Sequence, residues 1–285
     1  MDLSRIEDGQ RIVVTGASGY VGREVLRMLA ERYEVIGLDL REGEVAGCAV
    51  RGVDLTDYGR VHAAIDTARP AAVVHLAIAS MKALRHLEPQ DYAQQEIAVN
   101  VSGTRHVYES AAVCGVRRVV QMSSLTVHLG QPERRWIAKD ATLQPRNHYA
   151  VTKLYGEQLA WLYASQGRIA SVCWRMGQPY PVEHFNQSHL AEPDWRAIGI
   201  TSGDMARGLL AGLSADLSGL TSDASVHPVG LTPIEGFAVA NLVSASDAGP
   251  EFGYDLTAAR ALGYEPGDCF TASGPVPTVE QRGRT

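Results

Sequence analysis

The chain has little that would tie it to a membrane, a nucleic acid or an oxidising compartment. No apolar run reaches the roughly 20 residues needed to span a bilayer. Its first residues, Met1-Asp2-Leu3-Ser4-Arg5, form no apolar signal core, so a cytoplasmic location is expected. Positive charge is not in excess: 26 Lys and Arg stand against 32 Asp and Glu, a net charge of −6. That balance argues against nucleic acid or an anionic membrane as partner. Cysteine is scarce, and the four at 48, 114, 173 and 269 form no Cys-x-x-Cys pair. Cys48 and Cys173 stand in apolar, strand-like runs, so reduced core thiols are expected rather than a disulfide frame. The nine histidines are dispersed, and no metal-ligand cluster is expected.

What is present is alternation. The runs Ile12–Val14, Glu34–Asp39, Cys48–Val53, Ala71–Leu76, Arg118–Met122 and Ile169–Trp174 read as buried parallel strands. Helical spacing fills the gaps, including a long helix from Pro89 to about Cys114 and another at about 147–166. Thr56 or Asp57 is a candidate cap for the helix after the third strand. The pattern predicts an α/β fold, a doubly wound parallel sheet with helices on both faces. Its ligand crevice is expected at the carboxyl ends of the strands. After Met176 the pattern changes: prolines at 179, 181 and 193 mark irregular chain, helical signal returns near 203–213 and 231–239, and a strand is expected at 238–244. The expected division is a core over 1–175, a small interleaved lobe over 176–272, and a mobile tail over 273–285.

The segment Thr15-Gly16-Ala17-Ser18-Gly19-Tyr20-Val21-Gly22 joins the first strand to the first helix. Its glycines permit a tight turn and let a pyrophosphate approach the backbone at a helix N-terminus. Asp39 ends the second strand, 23 residues after Gly16, where an acid accepts ribose hydroxyls. A carboxylate there repels a 2′-phosphate, which favours NAD over NADP, with Arg41 close enough to soften the preference. Tyr149-x-x-x-Lys153 places a phenol and an ammonium one helical turn apart. The ammonium, together with the charge of an oxidised nicotinamide, is expected to lower the phenol pKa from its usual ~10 so that Tyr149 can exchange a proton with a substrate hydroxyl.

Taken together, Thr15–Gly22, Asp39, Asp54-Leu55, His75-Leu76-Ala77, Asn100-x-x-Gly103-Thr104, Ser123-Ser124, Tyr149-x-x-x-Lys153, Arg175 and Tyr254 through Pro266 resemble an extended short-chain dehydrogenase/reductase of the NAD-dependent epimerase/dehydratase group. The resemblance implies a Rossmann sheet with a small C-terminal substrate lobe. It implies a Ser124–Tyr149–Lys153 triad, with Lys153 also on the nicotinamide ribose. It makes Asp54 and Leu55 the adenine-binding pair, although Asp54 also reads as a turn acid. Leu76 and Ala77 would lie beside the cofactor. Asn100 would sit near the active site, or serve as a buried side chain satisfying backbone groups.

Within that family, sugar dehydratases carry an Asp-Glu pair after the active-site hydroxyl, where this chain has Leu125 and Thr126. The lobe is short for a nucleotide sugar and lacks an obvious basic cluster. In size and in the Ser123-Ser124 context the chain is similar to compact uronate dehydrogenases of the family. That likeness makes Ser80, Ser124, Arg175 and Gln178 the substrate-binding candidates. Leu125 and Gln178 depart from the Asn and Ser of those enzymes. His128, Arg134, Arg135 and His148 lie in loops that could line the pocket. The expected activity is hydride transfer between NAD and a small sugar, sugar acid or polyol. A nucleotide-sugar epimerase and a non-catalytic NAD-binding sensor or scaffold are the alternatives. The helices at about 89–114 and 147–166 are those the family uses for dimers, so a homodimer is expected.

Overall fold

The computed structural model describes residues 2–79, 84, 86–131, 136–138, 141–180, 185–219 and 234–278. Eight strands form one sheet: β1 (Arg11–Thr15), β2 (Glu34–Asp39), β3 (Gly43–Val45), β4 (Cys48–Gly52), β5 (Ala72–His75), β6 (Arg118–Ser124), β7 (Ala170–Met176) and β8 (Phe237–Leu242). Their order is β8-β7-β6-β5-β1-β2-β4-β3. All neighbours are parallel except β3, which pairs antiparallel with β4. The six strands expected from apolar runs are β1, β2 and β4–β7. The short β3 was not expected. It is made by a tight turn in which Ala46 and Gly47 take positive φ of 51° and 80°.

Strand residues alternate between two apolar layers. Ile12 and Val14 face a core with Leu26, Leu29, Trp174, Met205 and Leu209, while Val13 faces another with Val61, Ile65, Tyr108, Leu159 and Val239. The first layer is covered by α1 (Tyr20–Ala30) and the helix Ser202–Ser214. The second is covered by α2 (Tyr58–Ala68), which Asp57 caps by accepting from Arg60 N, and by helices from the 89–165 region. Burying both faces is why the strands read as continuous apolar runs rather than alternating ones.

The long helix expected from Pro89 exists in three parts. α3 (Pro89–Glu96) widens into a π-helical segment (Ile97–Gly103) and continues as α4 (Thr104–Val113). The helix expected near 147–166 is α5 (His148–Ser165), capped by Asn147, whose side chain accepts from Ala150 N. Beyond Arg175 the chain returns to the main sheet: β8 extends it, and Ser202–Ser214 packs with α1. The helix expected near 231–239 is replaced by β8 from Phe237 onward, with 231–233 outside the described residues. Buried on both sides against β7, that run takes the strand form. The expected tail is corrected at its start. Gly274–Pro277 pairs antiparallel with Asp268–Thr271 through a turn in which Gly274 has φ 125° and Thr271 Oγ1 donates to Gly274 O. Residues 279–285 lie outside the described residues.

Candidate active site

Between β1 and α1 the glycines do distinct work. Gly16 has φ +73°, and a Cβ there would meet the Ala77 backbone at 2.8 Å. Gly22 lies under the turn, where a Cβ would run into the Gly16 and Ala17 carbonyl oxygens. Gly19 is the N-cap of α1 and supplies no side-chain cap, and the first turn carries no acid. The leading N–H groups of α1 thus keep their capacity for an anion. Ser18 N donates to Asp39 Oδ2 at 2.9 Å, which fixes the acid at the lip of the turn, and Leu40 N donates to Oδ1 at 2.8 Å. Tyr20 is exposed and Val21 half-buried at the start of α1. Val53 N donates to Asp39 O, which brings Asp54 alongside. Asp54 Oδ1 accepts from the Thr56 N–H and hydroxyl, a turn role, and Leu55 is buried against Gly103. A glycine cradle at a helix N-terminus with an acid at the next strand end fits a dinucleotide.

A polar chain ties this cradle to the helix beyond β5. Thr104 Oγ1 donates to Asn100 O at 2.7 Å, so it accepts from His75 Nε2 at 3.0 Å. His75 Nδ1 then accepts from Thr15 Oγ1 at 2.7 Å, and Ala77 N donates to that same threonine oxygen at 3.4 Å. Burial, with the Lys153 charge nearby, pushes the His75 pKa down to about 3. Asn100 Oδ1 accepts from Ala79 N at 2.7 Å, and its Nδ2 donates to Thr152 Oγ1 at 3.3 Å. Of its two expected readings, Asn100 holds the backbone after β5 and also reaches the tyrosine helix. The π-helical widening carries Asn100, as such bulges often carry functional residues.

Ser124 ends β6, and its hydroxyl lies close enough to Tyr149, near the start of α5, to favour the ionised form of that phenol. Thr126 N and Oγ1 approach Ser124 Oγ at 3.2 and 3.0 Å and orient it. Lys153 Nζ lies 5.5 Å from the centre of the Tyr149 ring and donates to Met122 O at 2.8 Å. The three expected triad side chains therefore lie at one place, and the protein's own groups set the phenol high, leaving the expected lowering to the nicotinamide charge. Burial pushes the Tyr149 phenol up to about 12; the nearby Ser124 hydroxyl opposes this and the Glu96 carboxylate adds to it. Burial also pulls Lys153 down to about 8. Loss of hydration outweighs the benefit of an ammonium one turn away.

The substrate candidates fare differently. Ser80, Arg134 and Arg135 lie outside the described residues. Gln178 is half-buried just past β7, in a two-residue pairing with Gly199–Ile200. Arg175 is corrected. Its guanidinium is 1% exposed and held by Glu157 through Nε–Oε1 at 2.9 Å and Nη2–Oε2 at 2.8 Å. Ser123 Oγ donates to the same carboxylate at 2.6 Å. Arg175 is a buried strut between β7 and α5 rather than an open anion site. His128 is buried, its pKa pushed down to about 3 by burial and by Arg175, and His148 is exposed. A cavity of about 670 Å³ lies past β8, lined by Trp136, Ser244, Asp247, Tyr254 and Arg260 among others, none of them triad residues. Glu157 and Glu96 escaped sequence reading. Their one sequence signal is spacing: Glu157 is four residues after Lys153, and Glu96 four before Asn100.

These features meet in comparisons with known proteins. The NAD dependent epimerase/dehydratase family matches residues 12–193, and the chain belongs to it. It is an enzyme of the extended short-chain dehydrogenase/reductase type with NAD as its cofactor. It is 28% identical to an L-arabinose 1-dehydrogenase (NAD(P)(+)) of Haloferax volcanii over 90% of this chain and 96% of that protein. It is 30% identical to a uronate dehydrogenase of Pseudomonas syringae pv. tomato over 60% of each chain, so it matches about three fifths of that relative's length. The crystal structure of uronate dehydrogenase from Agrobacterium tumefaciens superimposes with TM-score 0.68 at 25% identity, covering 91% of this chain and 85% of that one.

Proposed function

We propose that this protein transfers hydride between NAD and a hydroxyl-bearing carbon of a small sugar, sugar acid or related polyol. The observation that carries the reading is the clustering of Ser124 at the end of β6, Tyr149 beside it and Lys153 one turn on, 5.5 Å from the phenol ring, at the same strand ends as the glycine cradle. NAD, when bound, supplies the hydride acceptor and a positive charge beside the phenol. Gly16, Ser18, Gly19, Tyr20, Val21 and Gly22 hold its pyrophosphate, Asp39 the adenosine ribose, Asp54 and Leu55 the adenine, and Leu76 and Ala77 the face beside it. Ser124 and Tyr149 hold the substrate oxygen. In oxidation the carbon's hydrogen leaves with the C–H electron pair as hydride, and the O–H proton passes to the oxygen of a Tyr149 phenolate, the form favoured by Lys153 and the nicotinamide charge. In the reverse direction the phenol returns that proton to a carbonyl, the direction its high pKa suits.

Residues 176–272 are proposed to form the substrate lobe, and Ser80 and Gln178 are proposed to bind the substrate. A homodimer through α3–α4 and α5 is supported by four exposed apolar side chains there, Ile97, Val113, Val151 and Leu162. A cytoplasmic location is supported by four free cysteines. No helix among the described residues is long and apolar enough to cross a membrane. The test is an absorbance screen of NAD with aldoses, uronates, polyols and nucleotide sugars. NADH formed in step with sugar consumed is the expected result. A change of sugar configuration with no net NADH would replace this reading by an epimerase.

A further inference from the structure

Resting on that reading, we propose that Glu96 is a substrate-positioning residue: its carboxylate accepts hydroxyl hydrogens of an uncharged aldose or polyol beside the reacting carbon and turns away substrates that carry a carboxylate there. Glu96 is 4% exposed. Among the described residues its only hydrogen-bond donor is Tyr92, whose hydroxyl reaches Oε1 at 3.1 Å, and no cation among them pairs with it. A carboxylate withdrawn from water and so weakly served has capacity for further donors.

Its place follows from the helices. α3–α4 and α5 each follow a strand of the parallel sheet, so they run the same way. Asn100 meets Thr152 at 3.3 Å, and Thr152 Oγ1 donates to Tyr149 O at 2.8 Å. One turn earlier on both helices, Glu96 faces Tyr149. The mutual influence of Glu96 on the phenols of Tyr92 and Tyr149, both pushed up to about 12, agrees with that placement. The arginines past the strand ends are already paired. Past the ends of β6–β8, Arg175 is held by Glu157, Arg196 by Asp247, Arg207 by Asp204 and Asp268, and Arg260 by Glu265. A sugar hydroxyl can donate to Glu96; a hexuronate carboxylate placed there would meet a like charge.

The test compares D-galactose with D-galacturonate, and L-arabinose as a smaller aldose, on the full-length protein. The wild type is expected to prefer the aldoses. Glu96→Gln keeps the shape and an acceptor for Tyr92; it should raise KM for the aldoses about tenfold or more while galacturonate does not weaken, so the preference ratio moves by at least that factor. Glu96→Asp retains the charge and should retain the exclusion of galacturonate. NAD affinity, read separately, should be the same in all three. A wild type that prefers galacturonate, or a Glu96→Gln variant that weakens both classes equally, overturns the proposal. Saturation-transfer NMR of the same sugars on the NAD-loaded protein reads the selection without turnover. An absence of NADH with every sugar would thus sink the oxidoreductase reading, while aldose binding that Glu96→Gln weakens would still support this one and galacturonate binding favoured by the wild type would still overturn it.

Discussion

The two halves of the strand-end crevice are built by different means. On the half formed by β1, β2, β4 and β5, the cradle is a backbone object. Gly16 and Gly22 allow close approach, Ser18 N fixes Asp39, and neutral groups from Thr15 through His75 to Asn100 hold the rest. On the half formed by β6, β7 and β8, side-chain ion pairs do the holding. Glu157 grips Arg175, and Asp204, 0% exposed, binds Arg207, Ser244 Oγ and the Gly267 and Asp268 N–H groups. The contrast suits the ligands each half is proposed to face. A cofactor common to a family needs one fixed backbone shape, whereas a substrate side can vary its side chains while buried pairs keep the frame rigid.

If the contrast is right, the largest damage comes from breaking a pair on the substrate half. Glu157→Gln strands the Arg175 charge in the core and puts an amide donor where one carboxylate oxygen accepted; a loss of about 3–5 kcal/mol in urea unfolding is expected. A loss below about 1 kcal/mol would mean that the pair does not organise that half. On the cofactor half, Gly22→Ala forces a Cβ to within 2.6 Å of Ala17 O. The expected cost is smaller, about 1–3 kcal/mol, and it should come with weakened NAD binding by calorimetry. A third effect is a slope rather than a single value. His75 and His128, each pushed down to about 3 in the fold, take up protons in the unfolded chain near 6.5. Their stability contribution is whole above about 6.5 and is lost as pH falls towards 3, at about 1.4 kcal/mol per pH unit for each histidine. His75→Gln should flatten part of that slope in denaturation curves taken from pH 7 to 4.

The same difference sets what the sequence could disclose. Gly16, Asp39 and Tyr149-x-x-x-Lys153 act through short, fixed spacings, so they stand out in a linear reading, as do the apolar runs of a sheet buried on both faces. Arg175 misled because its partner, Glu157, lies 18 residues away on another element. Asp204 and Ser244 are 40 apart, and Arg196 and Asp247 are 51 apart. No local pattern announces such pairs. Glu96 was hidden because its neighbour Tyr149 lies on a different helix. The pKa of Tyr149 is hard to read for a related reason: spacing shows the ammonium of Lys153 but not the burial that opposes it. The β3 turn needs Ala46 at φ 51°, a conformation its composition does not favour.

The measurement closest to the central claim is single-turnover hydride transfer by Tyr149→Phe, alongside NAD affinity of the same variant. The phenylalanine keeps the ring against Lys153 and removes only the oxygen that holds the proton. A fall of about 10²–10⁴-fold in the rate of NADH formation, with NAD affinity within about twofold of wild type, is the predicted result. Near-wild-type transfer by that variant would contradict the account, because Ser124 and Lys153 would then be carrying the chemistry without Tyr149.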